Sequence, residues 1–399
     1  MTALLSFEEA LERVLALTRP LPTEAVPLSG SAGRVTATDA AARVDLPPFA
    51  SSAMDGFAVR VADVPGTLRL AGQVAAGRPA DRRLEAGETF AISTGGVVPD
   101  GADAVVPLEN VVEHDNEVEF PERVKVGASI RPRGGDVAAG DVVVATGVRV
   151  AAAQVGALAA GGISELVCHR RPRVVVVATG TELAPPGVEL GPGQVYEANG
   201  VMLAAALAAV GAIVERHPAV SDDEDAHREA IAYGLEADVL VTSGGVSVGA
   251  HDLVRRVESE LGVEEVFWRV AIKPGKPVSF GVRGDTLVFG LPGNPVSALV
   301  GCELFVNPAV RGLQGLGDPR PRFEPGRLAS PLSRDAVRDE FVRAQSRAEG
   351  ERLVLEPLRG QESHMIARAA AADALVHVPR GGGELAEGAV VSWLRLGEP

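Results

Sequence analysis

Residues 239–252, VLVTSGGVSVGAHD, constrain the fold of this chain more than any other stretch. They open on Val239, Leu240 and Val241, the pattern of a strand buried on both faces. Thr242 and Ser243 lead directly into Gly244 and Gly245. Two glycines at the end of such a strand let the backbone come close to a ligand and present its N–H groups. Asp252 arrives where a helix begins. In open α/β sheets ligands sit outside the carboxyl ends of the strands. The loop is therefore a candidate anion site and Asp252 a candidate cation ligand. The competing reading is a tight turn into a helix, with Asp252 as its N-cap.

The flanking chain alternates strand and helix signals. Residues 174–178 are a continuous apolar run closed by Thr179, Gly180, Thr181 and Glu182. A helix is predicted near 199–210 and a strand over 212–215. A second helix runs from a capping box at Ser221 and Glu224 to about residue 236, a third follows over 252–261, and a strand covers 286–290. This order predicts a doubly wound sheet. Between them, FWRVAIKPGKPVSF (267–280) sets Lys273 and Lys276 on either side of Pro274 and Gly275. A rigid turn of this kind aims two ammonium groups at one anion, or leaves both in solvent. LPGNP (291–295) precedes a predicted helix over 296–313, with Asn294 as N-cap and Pro295 as its first residue. A helix start offers N–H groups to a phosphate or oxyanion.

The remaining chain divides around this core. Residues 6–17 read as an amphipathic helix with a capping box at Ser6 and Glu9 and an apolar stripe of Phe7, Ala10, Leu11, Val14 and Leu15. Residues 67–141 carry short strand-like runs between Gly and Pro turns, as in a small β-rich domain. In DLPPFASSAMDGFAV (45–59), Asp55 precedes Gly56, a common turn pairing. It also sits between Met54 and Phe57, where a carboxylate without a partner is costly. Thr94 stands before Gly95 and Gly96, placed either to bond a ligand oxygen or to make a turn. IRPRGGD (130–136) offers Arg131 and Arg133 as an anion site or as a solvated loop. Residues 150–161 are helical by composition, 318–325 are a Pro-rich linker, and the rest reads as a small β domain.

At 399 residues the chain holds about two to four domains. Its net charge of −15 argues against nucleic acid or an anionic membrane as main partner. Cys168 and Cys302 have no metal-ligand spacing and suit a reducing cytoplasm. No signal sequence is expected, because Glu8, Glu9 and Glu12 interrupt the start, and residues 150–163 are too short to span a bilayer.

MDGFAV, STGG, GTEL, TSGGVSVGAHD, KPGKP and LPGNPVSA, in this order, resemble the molybdopterin molybdenumtransferase family, which includes MoeA-like proteins and the E domain of gephyrin. The resemblance runs from about residue 6 to the C-terminus. It implies an α/β three-layer molybdopterin-binding domain (171–316), a β-rich domain (21–141), a discontinuous linker domain (1–20 plus 142–170) and a C-terminal β-barrel (317–399). It also implies a cytoplasmic homodimer whose active site is shared between subunits, with possible transient contact with the molybdopterin adenylyltransferase. The reaction it implies inserts molybdate into adenylylated molybdopterin and releases AMP, with Mg²⁺ required.

Carried over by motif, the catalytic set is Asp55, Thr94, Asp136, Glu182, Asp222, Lys273 and Lys276. Ser243, Gly244, Gly245, Pro292, Asn294, Pro295 and Arg343 are the binding set, Arg343 near molybdate. Glu182 and Asp252 fall at the ends of two strands and are expected to hold Mg²⁺ against the pyrophosphate. The lysines are expected to bind oxyanion oxygens, with Asp55 supplied by the partner subunit. The chain departs from its relatives at Gly135, where Glu or Ser is common, and at Ala198 and Ala367, where Ser is common. His251 reads as a bystander. A CinA-like nucleotide pyrophosphatase and a gephyrin-like scaffold are the alternative functions.

Overall fold

The computed structural model describes residues 4–245 and 253–397. The first helix, α1 (Phe7–Leu17), is closed by the expected capping box: Glu9 N–H donates to Ser6 Oγ (3.1 Å) and Ser6 N–H to Glu9 Oε2 (2.8 Å). Its buried stripe of Phe7, Ala10, Leu11 and Val14 packs into the core of the α/β domain. Phe7 meets Phe305 and Phe341 edge-on, at 5.9 and 5.4 Å between ring centres, and so joins the α/β domain to the C-terminal barrel. The linker core forms without α1. Strand Thr23–Pro27 pairs antiparallel with Glu165–His169, and both pack with Val144, Val150 and, from helix α2 (Ala152–Ala160), Leu158.

Between the two halves of the linker lies a six-stranded sheet ordered Ala104–Pro107, Gly56–Val59, Glu88–Ile92, Gly66–Val74, Glu117–Phe120, Val112–Glu113. Phe57 and Phe120 are at the centre of its core. A side chain at Gly56 would lie 2.1 Å from the Val106 carbonyl oxygen, so only glycine lets these two strands approach. This close approach sets Asp55 at the rim of the sheet.

The α/β domain holds strands β1 (Arg173–Ala178), β2 (Ile213–Arg216), β3 (Val239–Ser243), β4 (Glu264–Trp268), β5 (Ser279–Arg283) and β6 (Thr286–Leu291). They lie in the order β2-β1-β3-β6-β5-β4. The first four are parallel, with Val176 beside Val241 and Val241 beside Phe289; β5 and β4 complete the edge antiparallel. Alternation along each strand serves two helical layers. Val174, Val176, Val239 and Val241 face helix α3 (Asn199–Ala209) and the 295–313 helix, while Val175, Val177, Leu240 and Val288 face α4 (Glu224–Gly234) and α5 (Leu253–Glu260). The expected three-layer α/β arrangement is what the chain adopts. From β1 the chain leaves to one side for β2 and then crosses back for β3, so the topological switch lies at the ends of β1 and β3.

Two helix expectations change in detail. α4 is capped by Asp223, whose Oδ1 accepts from Ala226 N–H (3.0 Å), two residues nearer the helix body than Ser221. The 296–313 helix has three parts: α6 (Pro295–Gly301), a π-helical segment Cys302–Val306, and α7 (Asn307–Leu313). The extra residue per turn accommodates Glu303, which is buried and accepts from Asn307 Nδ2 (3.0 Å). Pro295–Leu313 is long and apolar enough to cross a membrane, but it is packed inside the core of this domain.

The C-terminal strands Phe323–Leu328, Asp339–Glu349, Arg352–Pro357, Ala374–Val378 and Val390–Arg395 close into a five-stranded barrel. Closure follows because Asp339–Glu349 pairs with both Arg352–Pro357 and Ala374–Val378. Trp393 and Leu355 fill its interior. Ile272–Lys273 of the α/β domain adds in parallel to Asp339–Glu340 and ties barrel to sheet.

Candidate active site

A cavity of about 1300 Å³ opens at the switch point. Its floor is made of three strand ends that interlock through glycine. Gly244 has φ +102°, and a side chain there would lie 2.5 Å from the Thr179 carbonyl oxygen; at Gly245 (φ +66°) it would lie 2.5 Å from Val254. Gly244 N–H donates to Leu291 O (3.1 Å) and Thr179 N–H to Ser243 O (2.9 Å). The paired glycines therefore let β3 pack closely against the end of β1 and against α5.

Asn199, which sequence reasoning passed over, is the central strut. Its Nδ2 donates to Ser243 Oγ (2.9 Å) and to Gly293 O (2.7 Å), so the first turn of α3 holds the ends of β3 and β6 together. Ser243 is buried and its own hydroxyl donates to Pro292 O (3.3 Å). Its oxygen is thus engaged in holding loops. Pro292 contributes this carbonyl and does not line the cavity, whereas Asn294 and Pro295 do. The helix start at α6 is less open to an anion than its sequence implied. Asn294 makes no side-chain cap, Pro295 has no N–H, and Val296 N–H donates to Ser363 O of the barrel (3.0 Å).

The acidic wall carries Glu182, Asp222 and Glu197. Thr181 Oγ1 donates to Asp222 Oδ2 (2.9 Å) and accepts from Asp222 N–H (3.2 Å), locking the end of β1 to the approach of α4. Glu197 is buried, and its Oε1 accepts from Gly200 N–H (2.6 Å). This explains how the chain tolerates Ala198, which occupies the N-cap of α3 with no capping side chain: the longer Glu197 reaches the same donors. Tyr196, Val195, Leu183 and Ile366 supply an apolar side. Glu182 and Asp222 are hard oxygen donors on one cavity, chemistry suited to Mg²⁺. Among the described residues no group of three or more His, Cys, Asp or Glu is arranged to hold a metal. Asp252, with Ser247, Gly249 and His251, lies outside the described residues.

The cavity's cations are not the expected ones. Arg255 and Arg256 of α5 line it. Arg256 pairs with Glu224 and lies 3.8 Å from Glu260. Arg255 Nε donates to Glu265 (2.8 Å) and the guanidinium stacks on Trp268, 4.0 Å from the ring centre. The available signal was an Arg-Arg pair one turn beyond the glycine loop. Lys273 and Lys276 are both exposed and neither lines the cavity. Lys273 Nζ donates to Glu340 Oε1 of the barrel (3.0 Å), and the loop between the lysines lies against Ser297 of α6. Arg343 is 1% exposed, and its guanidinium donates to carbonyls of Gly360, Glu362 and Met365.

The remaining predicted residues gather elsewhere. Asp55 Oδ1 accepts from Thr94 N–H (2.7 Å) and Oγ1 (3.1 Å), so the MDG and STGG segments do meet. Both residues are exposed, which removes the burial cost inferred for Asp55 from its apolar neighbours. Asp136 is also exposed, its N–H donating to Leu46 O (2.9 Å). Arg133 pairs with Asp45 (2.5 Å), which also accepts from Ala139 N–H (2.8 Å). These two bonds, the backbone one foremost, hold the Asp45 carboxyl below the usual range. A side chain at Gly135 would lie 3.0 Å from the Pro132 ring, so the local turn favours glycine. Ala367 is exposed on the short helix α8 (Ile366–Ala369). Strand Ile130–Arg131 pairs with Ser51–Ser52, bracing the 130–136 loop against the Asp55 segment. No residue of this face lines the cavity.

Comparison with known proteins places this architecture. Residues 5–162 match the MoeA N-terminal region (domain I and II), 175–312 the probable molybdopterin binding domain, and 325–396 the MoeA C-terminal region (domain IV). The chain is 38% identical over 360 residues to molybdopterin molybdenumtransferase 2 of Mycobacterium tuberculosis, covering 86% of this chain and 87% of that protein. It is 38% identical over 317 residues to the molybdopterin molybdenumtransferase of Haemophilus influenzae, covering 78% of each. The crystal structure of the molybdopterin biosynthesis MoeA protein from Pyrococcus horikoshii superposes with a TM-score of 0.83 at 32% identity, over 98% of this chain and 99% of that one. With family matches across all of its domains and a shared fold along its length, the chain belongs to the MoeA family of molybdopterin molybdenumtransferases.

Proposed function

We propose that this chain is a molybdopterin molybdenumtransferase: it takes adenylylated molybdopterin and molybdate and releases AMP and molybdenum cofactor. The observation that carries the reading is the cavity at the ends of β1, β3 and β6, where glycine turns, carboxylates and arginines converge. The backbone N–H of Gly245 suits a phosphate oxygen, while that of Gly244 is held by Leu291 O. The guanidiniums of Arg255 and Arg256 suit the rest of the phosphoanhydride charge. Planar ring systems fit the apolar side beside Tyr196. Glu182 and Asp252 are the proposed Mg²⁺ ligands, with Asp222 on the same cavity. When bound there, the ion supplies Lewis-acid polarisation of the phosphoanhydride. Lys273 and Lys276 receive molybdate as point charges, which requires Lys273 to exchange Glu340 for substrate.

Asp55, Thr94 and Asp136 complete this site from a second subunit of a homodimer. Their exposure away from the cavity supports this, as do Phe49, Met54 and Leu108, each about 40% or more exposed on the same domain. The chain then works in the cytoplasm, in transient contact with the adenylyltransferase that makes its substrate. The test is AMP release from adenylylated molybdopterin on adding molybdate and Mg²⁺. Release that depends on molybdate, and that Asp55→Asn abolishes, is the expected result. Release without molybdate indicates a pyrophosphatase, and no release with either molybdate or tungstate overturns the reading.

A further inference from the structure

β2 (Ile213–Arg216) is an end strand of the α/β sheet, paired with β1 alone among the described strands. The parallel register decides which of its backbone groups are left over. Ile213 N–H donates to Pro172 O (2.8 Å) and His217 N–H to Val176 O (2.9 Å), so every second residue from 213 turns its backbone toward β1. Val214 and Arg216 turn theirs the other way, where no described strand meets them. Such an edge is a template for another strand.

Beside this edge lies a second cavity, of about 480 Å³, between the end of β2 and α4. Tyr233 and His217 line it, their ring centres 6.0 Å apart, together with Glu215 and Glu229. Glu215 is in register with Val175, which faces α4, so by alternation Ile213 and Glu215 both face this side. Ile213 is 57% exposed there. Tyr233 Oη donates to Glu215 Oε1 (2.5 Å), which fixes the carboxylate beside the ring.

Charge is distributed unevenly around α4. Toward α5, Glu224 pairs with Arg228 and Arg256. Away from α5, Glu215, Asp225 and Glu229 are exposed, and neither Arg216 of the same cavity nor any other described cation forms an ion pair with them. Asp225 and Glu229, four apart on the helix, repel each other. A cation supplied from outside relieves that repulsion.

We propose that this edge docks an extended segment of a partner protein, which adds as a strand beside β2 and carries an arginine or lysine on the side facing α4. Main-chain bonds to Val214 and Arg216 hold the segment. Its cation lies against the Tyr233 ring and the carboxylates of Glu215 and Glu229. An apolar residue two positions away covers Ile213. The surface is separate from the cavity at the switch point, so it stands independently of the transferase reading.

The test is fluorescence anisotropy of the full chain with short labelled peptides that carry threonine at one set of alternate positions and valine and arginine by turns at the other. Saturable binding is expected, and its loss when glutamate replaces arginine. Methylating the amides of one alternate set is expected to weaken binding about tenfold or more, and methylating the other set to leave it unchanged, because only alternate residues of a strand bond to a given edge. Glu215→Gln combined with Glu229→Gln is expected to weaken binding about tenfold at an unchanged melting temperature. No saturation below about 1 mM, equal binding of the two methylated peptides, or full binding by the double variant overturns the proposal. So does a loss of self-association in Ile213→Lys, which assigns this edge to a second copy of the chain.

Discussion

Two polar clusters in this chain carry motif residues, and they are built in opposite ways. At the ends of β1, β3 and β6, glycine turns, Asn199 and the Thr181–Asp222 pair wall a deep cavity. On the β-rich domain, Asp55 and Thr94 bond to each other on an open surface with no cavity around them. The first has shape, with its arginines in ion pairs. The second has an oriented carboxylate and hydroxyl, with nothing to enclose a ligand. Neither alone excludes water from a reacting group, which phosphoanhydride chemistry benefits from. The contrast teaches that enclosure and an oriented carboxylate–hydroxyl pair lie on different domains of one copy of this chain, as the proposed shared site requires.

The largest effect should come from separating the halves. Asp55→Asn and Glu182→Gln are each expected to lower AMP release about 100-fold or more. Mixed in equal amounts under exchange, the two inactive variants should recover about a quarter of wild-type turnover, because half the dimers carry one intact site. No recovery would break the shared-site view. A second effect concerns glycine at the two clusters. Gly244→Ala combines a left-handed backbone with a collision on Thr179 O and should cost roughly 2–4 kcal/mol, with loss of AMP binding. Gly95→Ala also has positive φ (+80°), but a side chain there meets nothing within 4 Å, so only backbone strain of roughly 1–2 kcal/mol is expected. Denaturant unfolding of the two variants compares a packed cluster with an open one; equal costs would contradict it.

The smallest effect is on the core helix behind the cavity. Burial raises the Glu303 carboxyl above its ordinary value of 4.5, with Asn307 acting in the opposite sense. The folded chain therefore holds that proton more tightly than the unfolded chain. The associated stability is complete below the ordinary value and is lost as pH rises through the raised one. Glu303→Gln keeps an acceptor for Asn307 without the charge. It should raise the melting temperature by about 2 °C at pH 8 and by nothing at pH 4. A gain that does not change with pH would show that Glu303 titrates alike in the folded and unfolded chain, against the raised value.

Much of this was legible in the residues. Continuous valine runs at 174–178 and 239–241 determined buried parallel strands, since each face of such a strand must meet a helix layer. Gly244, Gly245 and Gly56 stand where only a residue without a side chain fits. The capping box of α1 is local chemistry between neighbours. These features follow from period, backbone angles and contacts a few residues apart, which the sequence carries directly. Tertiary structure alone decided that α1 joins the α/β core and that Arg255 and Arg256, not Lys273 and Lys276, line the cavity. It alone set the Arg343 guanidinium against the carbonyls of the 360–365 loop and gave the Val296 N–H to Ser363. The reason is that a charged side chain or free N–H takes whatever partner packing brings within about 3 Å, and that partner is set by segments distant in sequence.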